Sequence, residues 1–585
     1  MRIPICFVLA AIVVSAKDKH HVKAAPLPAP PPFNVVEASI SDMRKAMQEG
    51  RITSRELVIQ YLVRIGMYED MLHAVMRVNP HALAEADDRD RERAAGRIRG
   101  PLHGVPIALK DNILTHDMVT TGGALAFESL LPPYDATLVK NLRDAGAVII
   151  AKTTLSELAN WVAGAPTPMP ANYNGVRQFA YNPYDPRRDP RDGTDDGRPA
   201  LQTGGSSSGG GTTANFWGGN VGSETSGSIL SPSNQNMLAA VKPTVGRISR
   251  YGVIPITADQ DTAGPMAKTV TDVAIMLGAL ESPTPDPNDP ATKTCSPPSG
   301  RDYTQFLKAD GLKGARIGIP RAFFYDKMTP PGPDTSAAAA FGRPGGNRGG
   351  GLSPEETRVM NEAIDIMKQQ GAIIVDPVEI PSVSTTDPDH SFLRWGQCGG
   401  IAGAKGKDAN CSSVLKYGMK RDFNKFLDSL GAAAPVKSLT ELRVWNISHL
   451  NAGALRFGQS NLDISDEMNL DADRAKYEAD RAKDIDLAAT HGIDAAMKSN
   501  QLDAVIFPGA SGAAIAAKPG YPTVLVPFGM IPNSPTPPFP AGFDAKPAPF
   551  GVAFTGMACS EPKLLQLGYA FEQATKRRVP PPAFP

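Results

Sequence analysis

A lysine directly follows a short apolar run in this sequence. Residues 105–109, Val-Pro-Ile-Ala-Leu, lead straight into Lys110, which predicts a buried strand that ends at the amine. Burial disfavours the ammonium form and lowers the pKa of a lysine, so that its neutral amine becomes a base near neutral pH. A structural lysine paired with Asp111 explains the same pattern, and these residues alone leave both interpretations open.

Two serine–glycine segments follow the lysine, at 204–211 and 222–229. The first lacks the G-x-x-x-x-G-K-S/T pattern, which disfavours a nucleotide-binding P-loop. Its Gly205-x-Ser207-x-Gly209 spacing matches a nucleophile elbow, but an elbow requires a preceding strand and the residues before it make a poor one. In the second segment, consecutive small residues allow backbone N–H groups to converge where a serine can meet a carbonyl group. Taken singly, these segments also fit a flexible linker and an ordinary turn.

The ordered set of these three features is more informative than any one of them. A strand-end lysine followed by two serine–glycine segments resembles the amidase signature hydrolases. The resemblance covers roughly residues 36–578. It rests on segments 104–112, 204–210, 222–229, 241–246 and 260–266, with 79–83 and 568–574 farther out.

The resemblance implies a Ser–Ser–Lys triad in place of Ser–His–Asp. On this sequence, Ser228 is the nucleophile, Ser206 the bridging serine and Lys110 the neutral base. A non-proline cis peptide precedes the bridging serine in the family, and Gly205 would accommodate it here. The segment between the two serines is slightly shorter and richer in glycine than the family usually shows.

The oxyanion hole is expected from backbone N–H groups around Thr225, Ser226 and Gly227. This chemistry involves no metal, no cofactor and no histidine. His103, beside the lysine strand, is expected to be satisfied by backbone groups. The cysteines show no metal-ligand spacing, which argues against zinc.

The implied activity is hydrolysis of a carboxylic or peptide amide C–N bond through an acyl-enzyme, on a small-molecule or peptide amide. The motifs are most similar to peptide amidases and their secreted relatives. The glutamyl-tRNA amidotransferase subunit fits less well, because residues 230–232 lack the arginine that grips an acidic substrate. Substrate choice is expected to depend on the segments 380–470 and 530–550.

Two alternatives stay open. One is an esterase of the α/β-hydrolase type that uses Ser207 with a downstream aspartate and one of three histidines, His390, His449 or His491. The other is a catalytically degenerate protein that keeps the amidase fold. The number of subunits is not predicted.

The elements that must position the site follow an α/β rhythm. Apolar residues at helical spacing predict helices within 35–49 and 54–68, the second with a capping box from Thr53 and Glu56. Strands are predicted at 105–109, 147–151, 504–508 and 522–527, and helices at 136–145 and 471–489, the last one solvated. We therefore expect one sheet built from both ends of the sequence, in a single domain over 36–580. The resemblance implies the amidase signature fold, a large mixed sheet between helices. Surface insertions are expected near 185–200, 282–300 and 329–355.

The N-terminal residues read as a sorting signal. One positive charge, an apolar run and small residues at 14–16 predict a signal peptide over 1–16, followed by a Pro-rich tether over 17–35. The protein is thus expected to be secreted or extracytoplasmic. Cys398 and Cys411 could form a disulfide, although free thiols explain them equally well.

Composition excludes several classes of protein. The 585 residues carry 60 basic and 60 acidic side chains, so no basic surface for nucleic acid is expected. No apolar stretch reaches the roughly 18–20 residues that span a bilayer, and no membrane span is expected.

Overall fold

The computed structural model describes residues 32–193, 196–332 and 349–585. The predicted signal peptide, most of the tether and the centre of the insertion at 329–355 lie outside the described residues.

The core is one mixed sheet of eleven strands, in the order β1-β3-β2-β6-β8-β7-β12-β13-β11-β9-β10. A separate hairpin pairs β4 with β5. The strands are β1 Val75–Val78, β2 Pro106–Lys110, β3 Val148–Thr153, β4 Tyr173–Asn174, β5 Gln178–Phe179, β6 Gly219–Glu224, β7 Ala239–Lys242, β8 Thr262–Ala267, β9 Arg316–Gly318, β10 Ile373–Val375, β11 Ala504–Pro508, β12 Thr523–Ile531 and β13 Ala548–Thr555. Strands from both ends of the sequence share the sheet, as predicted.

Helices surround this sheet. They are α1 Ile40–Gln48, α2 Ser54–Leu72, α3 Ala82–Ala94, α4 Thr137–Asp144, α5 Gly210–Thr213, α6 Leu230–Gln235, α7 Val270–Leu280, α8 Pro354–Gln369, α9 Pro381–Ser384, α10 Val414–Leu430, α11 Leu439–Ser448, α12 Ser460–Asp466, α13 Arg474–Ile485, α14 Asp494–Asn500, α15 Ala513–Ala517 and α16 Glu561–Thr575. The predicted capping box of α2 is present: Thr53 and Glu56 each accept the other's backbone N–H. No described helix combines the length and apolarity needed to cross a membrane.

The strands that lead to the site are buried along their whole length. β2 pairs in parallel with β3 on one side and β6 on the other, and every residue of the three strands is buried. Parallel neighbours place their C-terminal ends at one edge of the sheet. Lys110 and Glu224, the last residues of β2 and β6, therefore lie at the same edge.

The β12–β13 loop, which includes most of the segment 530–550, starts at the edge of the sheet opposite Lys110 and Glu224. β6 and β7 both pair antiparallel with β8, and β12 pairs antiparallel with β7. β12 therefore ends at the edge where β6 begins. Sequence could not reveal this, because the direction of β12 depends on its pairing.

The helix predicted at 471–489 is shorter than expected; it is largely solvated, but two of its acidic residues are buried. α13 ends at Ile485, and a π-helical stretch, Asp486–Ile493, follows it. Asp480 accepts from the Ser413 hydroxyl at 2.6 Å, and Asp484 accepts from the Ser412 hydroxyl at 2.7 Å. Asp480 and Asp484 are buried because partners from a distant segment reach them, whereas Glu478 on the same helix is exposed.

Two disulfides join described segments. Cys398 pairs with Cys411, and Cys295 pairs with Cys559 across 264 residues. The second one ties the insertion at 282–300 to the segment before α16. That insertion is anchored further by Asp286, which accepts from Thr137 and Ser249 at 2.6 Å each.

Candidate active site

Lys110 ends β2 with its side chain fully buried. Its Nζ lies 2.7 Å from Ser206 Oγ, 3.0 Å from Ser223 Oγ and 3.1 Å from Ser223 O. A neutral amine has two N–H groups and one lone pair. The two Ser223 oxygens can accept both N–H groups, which leaves the lone pair for the Ser206 hydroxyl proton.

The surroundings of Lys110 favour the neutral form of its amine, which can act as a base. Burial lowers the pKa of Lys110 to about 7, against the opposing charges of Asp261 and Glu224. Among the described residues, no carboxylate lies within ion-pair distance of its Nζ. The alternative pairing with Asp111 is wrong, because that carboxylate faces Lys152 Nζ at 3.5 Å.

Ser206 is held beside the lysine by backbone contacts. The Gly205–Ser206 peptide is cis, as the resemblance implies. The Ser206 carbonyl accepts the Ser156 N–H at 2.9 Å, which fixes the loop after β3 against this turn. Because β3 neighbours β2, this contact places the Ser206 hydroxyl at the end of Lys110.

Ser228 lies in the turn that follows β6. Its carbonyl accepts the Ser207 N–H at 3.1 Å, so the two serine turns are joined through backbone. The hydroxyls of Ser206 and Ser228 do not bond to each other in the described structure. Ser228 is 8% exposed and Ser206 is 1% exposed, so Ser228 is the hydroxyl nearer to solvent.

Glu224 stabilises the turn that carries Ser228. Its Oε2 accepts the N–H groups of Ile229 and Leu230 at 2.7 and 2.9 Å. This places a fixed loop between Glu224 and the first turn of α6. Sequence reasoning included Glu224 in a motif but gave it no role.

The predicted oxyanion-hole residues directly precede Ser228 in this turn, where Thr225 and Gly227 are buried and Ser226 is partly exposed. The N–H groups of Thr225, Ser226 and Gly227 find no acceptor among residues 32–193, 196–332 and 349–585. Gly227 adopts a φ of +97°, which side-chain-bearing residues rarely adopt. Three unpaired donors beside Ser228 suit an oxygen that becomes negatively charged.

Replacing Gly227 with alanine should lower kcat strongly and lower the thermal stability of the protein only slightly. A Cβ there would meet only Ala513 Cβ at 3.5 Å, so the strain comes from φ. Relaxation of the turn would misdirect donors that are worth about 3–4 kcal/mol each, and we expect kcat to fall about 100-fold with KM little changed. Gly50→Ala is the matched control, since Gly50 has a φ of +68° with nothing within 4 Å. Steady-state kinetics and thermal unfolding of both variants test this, and equal kcat losses would contradict it.

The glycine-rich segment between the serines has a packing reason. α5 is only four residues long, and a Cβ on Gly211 would lie 2.2 Å from the ring of Trp217, which is fully buried. An alanine at position 211 would not fit against this ring. The glycine there makes room for Trp217, and the two serine turns are joined through the Ser207–Ser228 backbone contact.

The esterase alternative has no geometric support. Ser207 Oγ donates to Ser223 O at 3.0 Å and accepts the Ser223 N–H at 3.1 Å, so it is fully engaged by backbone. His390 and His491 pair with nearby aspartates on the surface. None of the candidate histidines bonds to Ser207 in the described part of the chain.

A cavity of about 360 Å³ adjoins the site. Ser223, Thr225 and Asp261 form part of its wall, and most of the rest is apolar. α10 contributes Phe426 and Asp422, so the predicted contribution of 380–470 to the site is consistent with the structure.

Groups that could hold a metal lie elsewhere. His116, Asp117 and Asp135 bring possible ligand atoms within 4.8 Å of one another. Arg143 already pairs with both carboxylates, at 2.6 and 3.1 Å. His103, as expected, is satisfied by backbone: its ring contacts the Arg89 carbonyl at 2.9 Å.

Comparison with known proteins identifies the family of this chain. The Amidase family model matches residues 56–341. A probable amidase from Arabidopsis thaliana is 33% identical over 94% of this chain and 92% of its own length. A glutamyl-tRNA(Gln) amidotransferase subunit from Chloroflexus aurantiacus is 34% identical, but over 61% of this chain and 63% of its own.

Among solved structures, the native peptide amidase from Stenotrophomonas maltophilia superposes with a TM-score of 0.75 and 34% identity, covering 94% of this chain and 99% of that one. The chain belongs to the amidase signature family. It has the family's fold, and it is an amidase, a hydrolase that cleaves the C–N bond of linear amides.

Proposed function

We propose that this amidase uses Ser228 as nucleophile, Ser206 as proton relay and Lys110 as base, and that it acts on small neutral amides, including C-terminal peptide amides. The observation that carries the proposal is the contact of 2.7 Å between Lys110 Nζ and Ser206 Oγ. The amine there is buried and has no carboxylate partner among the described residues, so a structural ion pair does not explain its presence.

Acylation begins with two coupled proton transfers. Neutral Lys110 takes the proton of Ser206, which takes the proton of Ser228 as the Ser228 oxygen bonds to the amide carbon. The N–H groups of residues 225–227 stabilise the negative carbonyl oxygen. The C–N bond then breaks, and the proton returns from Lys110 through Ser206 to the departing amine.

Deacylation repeats the same relay with water. Water gives a proton through Ser206 to Lys110 as its oxygen attacks the ester carbon on Ser228. The ester C–O bond breaks, the proton returns to the Ser228 oxygen and the carboxylic acid leaves. No external group is consumed apart from water.

The neutral substrate is supported by three features. The peptide amidase that superposes on the chain is named for peptide amides. The cavity wall is mainly apolar; it includes Arg250 and Lys425, but these are outnumbered by three aspartates, and Arg250 pairs with Asp289. The residues after the nucleophile, Leu230, Ser231 and Pro232, include no cation for an acidic substrate. A panel of C-terminally amidated peptides, fatty amides, aryl amides and free glutamine tests the class: turnover confined to free glutamine, which carries a carboxylate, would contradict it.

The pH dependence of hydrolysis should report the base. Because Lys110 acts when neutral and burial lowers its pKa to about 7, we expect kcat/KM to fall about tenfold per pH unit below that value and to level off above it. The measurement is kcat/KM for a neutral amide between about pH 5 and about pH 9. A flat profile, or one that decreases through neutral pH, would contradict the role of Lys110.

We also propose that the chain is exported. The Cys295–Cys559 and Cys398–Cys411 disulfides suit an oxidising compartment, and the N-terminal sequence has the features of a signal peptide. Intact mass measurement of the mature protein from its own host is expected to give Lys17 as the first residue. Recovery of the full chain from the cytoplasm with free thiols would contradict export.

A further inference from the structure

Asp261 is a buried carboxylate that the triad does not use. Its Oδ1 accepts the Thr225 hydroxyl at 2.6 Å. Its Oδ2 accepts the N–H groups of Ile256 and Thr257 at 2.8 and 2.9 Å. These bonds hold the carboxylate at the wall of the cavity, against the turn of residues 225–228 that carries the proposed oxyanion hole (the oxyanion turn).

The contact with Thr225 makes Asp261 one of two anchors of this turn. The neighbouring Gln260 adds a bond from its Nε2 to the Thr225 carbonyl at 3.2 Å. At the other end, Glu224 holds the N–H groups of residues 229–230. The turn that carries Ser228 is therefore clamped between two buried carboxylates.

The same carboxylate influences the base. Burial lowers the pKa of Lys110, and the charge of Asp261 opposes this more strongly than that of Glu224. Burial also raises the pKa of Asp261 to about 7, while Arg250 beside it lowers that pKa and Asp422 on α10 raises it. An ionised Asp261 therefore favours the ammonium form of Lys110.

We propose that Asp261 is a positioning residue for amide hydrolysis, which holds the oxyanion turn through Thr225 and sets the charge state of Lys110. The inference rests on the proposed function. It gives this carboxylate two separable effects, one through its hydrogen bond and one through its charge.

The Asp261→Asn variant isolates the charge. The amide oxygen can still accept the two backbone N–H groups, and the amide nitrogen can donate to the Thr225 hydroxyl. Without the negative charge, neutral Lys110 forms at lower pH. Because Asp261 itself becomes protonated near the same pH, only the upper part of the acidic limb of the kcat/KM profile responds to its charge. We expect the midpoint of that limb to move down by about half a pH unit, with kcat on the plateau reduced less than about tenfold.

The Thr225→Val variant isolates the hydrogen bond, and it also serves if Asp261→Asn fails to fold. We expect kcat on the alkaline plateau, where Asp261 is ionised in both proteins, to fall about tenfold or more. Asp259→Asn is the matched control for charge. Asp259 lies in the same loop but pairs with Arg421 at 3.0 Å and accepts the Tyr477 hydroxyl at 2.9 Å, and its loss should leave the limb unmoved.

The outcomes separate this inference from the proposed function. If the wild type cleaves no amide, or if Lys110→Met retains activity, the proposed function fails. If the wild type is active and Lys110→Met is not, an unmoved limb in Asp261→Asn, or an equal shift in Asp259→Asn, overturns the role of Asp261 alone. A Thr225→Val variant with unchanged kcat overturns its positioning part.

Discussion

Ser228→Ala should lower kcat/KM by at least about 10⁴-fold without unfolding the protein. The hydroxyl of Ser228 makes no hydrogen bond to another described side chain, and its carbonyl, which accepts the Ser207 N–H, is retained in alanine. We therefore expect a Tm within about 2 °C of the wild type. Amide hydrolysis kinetics and thermal unfolding measure the two quantities.

Ser207→Ala is the matched control for this prediction. Ser207 lies one residue from the relay serine and is buried, but its hydroxyl serves the backbone of Ser223. Loss of these bonds should cost about 1–3 kcal/mol of stability and leave kcat/KM of the folded protein within about tenfold. If Ser207→Ala were inactive and Ser228→Ala active, the elbow interpretation would replace the triad.

Lys110→Met should also lower kcat/KM by at least about 10⁴-fold, and no pH should restore it. Methionine fills similar space without a proton acceptor, so Ser206 has no base behind it. Because the amine makes no ion pair with a described residue, its loss leaves no charge uncompensated, and we expect a Tm within about 4 °C of the wild type. The measurement is kcat/KM across the pH range, together with Tm.

Lys268→Met provides the comparison for loss of a buried lysine. Lys268 is also buried, with its Nζ 2.8 Å from Asn215 Oδ1, but it follows β8 at the edge opposite Glu224. Its replacement should reduce stability and leave the activity of the folded protein unchanged. If Lys110→Met and Lys268→Met lost activity equally, the loss would come from removing a buried lysine in general and not from removing the base at Lys110.

Local patterns were sufficient to predict the elements that carry the site. The apolar run ending at Lys110 is β2, 147–151 corresponds to β3, and 504–508 is β11. These segments are continuous in sequence and wholly buried, so composition alone marks them. The ordered motifs also predicted that Lys110 and Ser206 lie side by side. The structure has this contact, although 96 positions separate the two residues.

What sequence could not predict depends on contacts between distant segments. Asp261 acquires its role because the start of β8 lies beside the end of β6, which only strand pairing determines. Asp480 is buried because Ser413, 67 positions away, reaches it. In each case the deciding partner is a side chain whose position follows from the fold.

The most direct test of the central claim is to locate and time covalent labelling by a fluorophosphonate, using peptide mass spectrometry over a range of pH. We expect a single adduct, on Ser228. In the wild type its rate of formation should rise through about pH 7 as Lys110 loses its proton, and in Lys110→Met no adduct should form. An adduct on Ser207, or labelling of Lys110→Met at the wild-type rate, would contradict it.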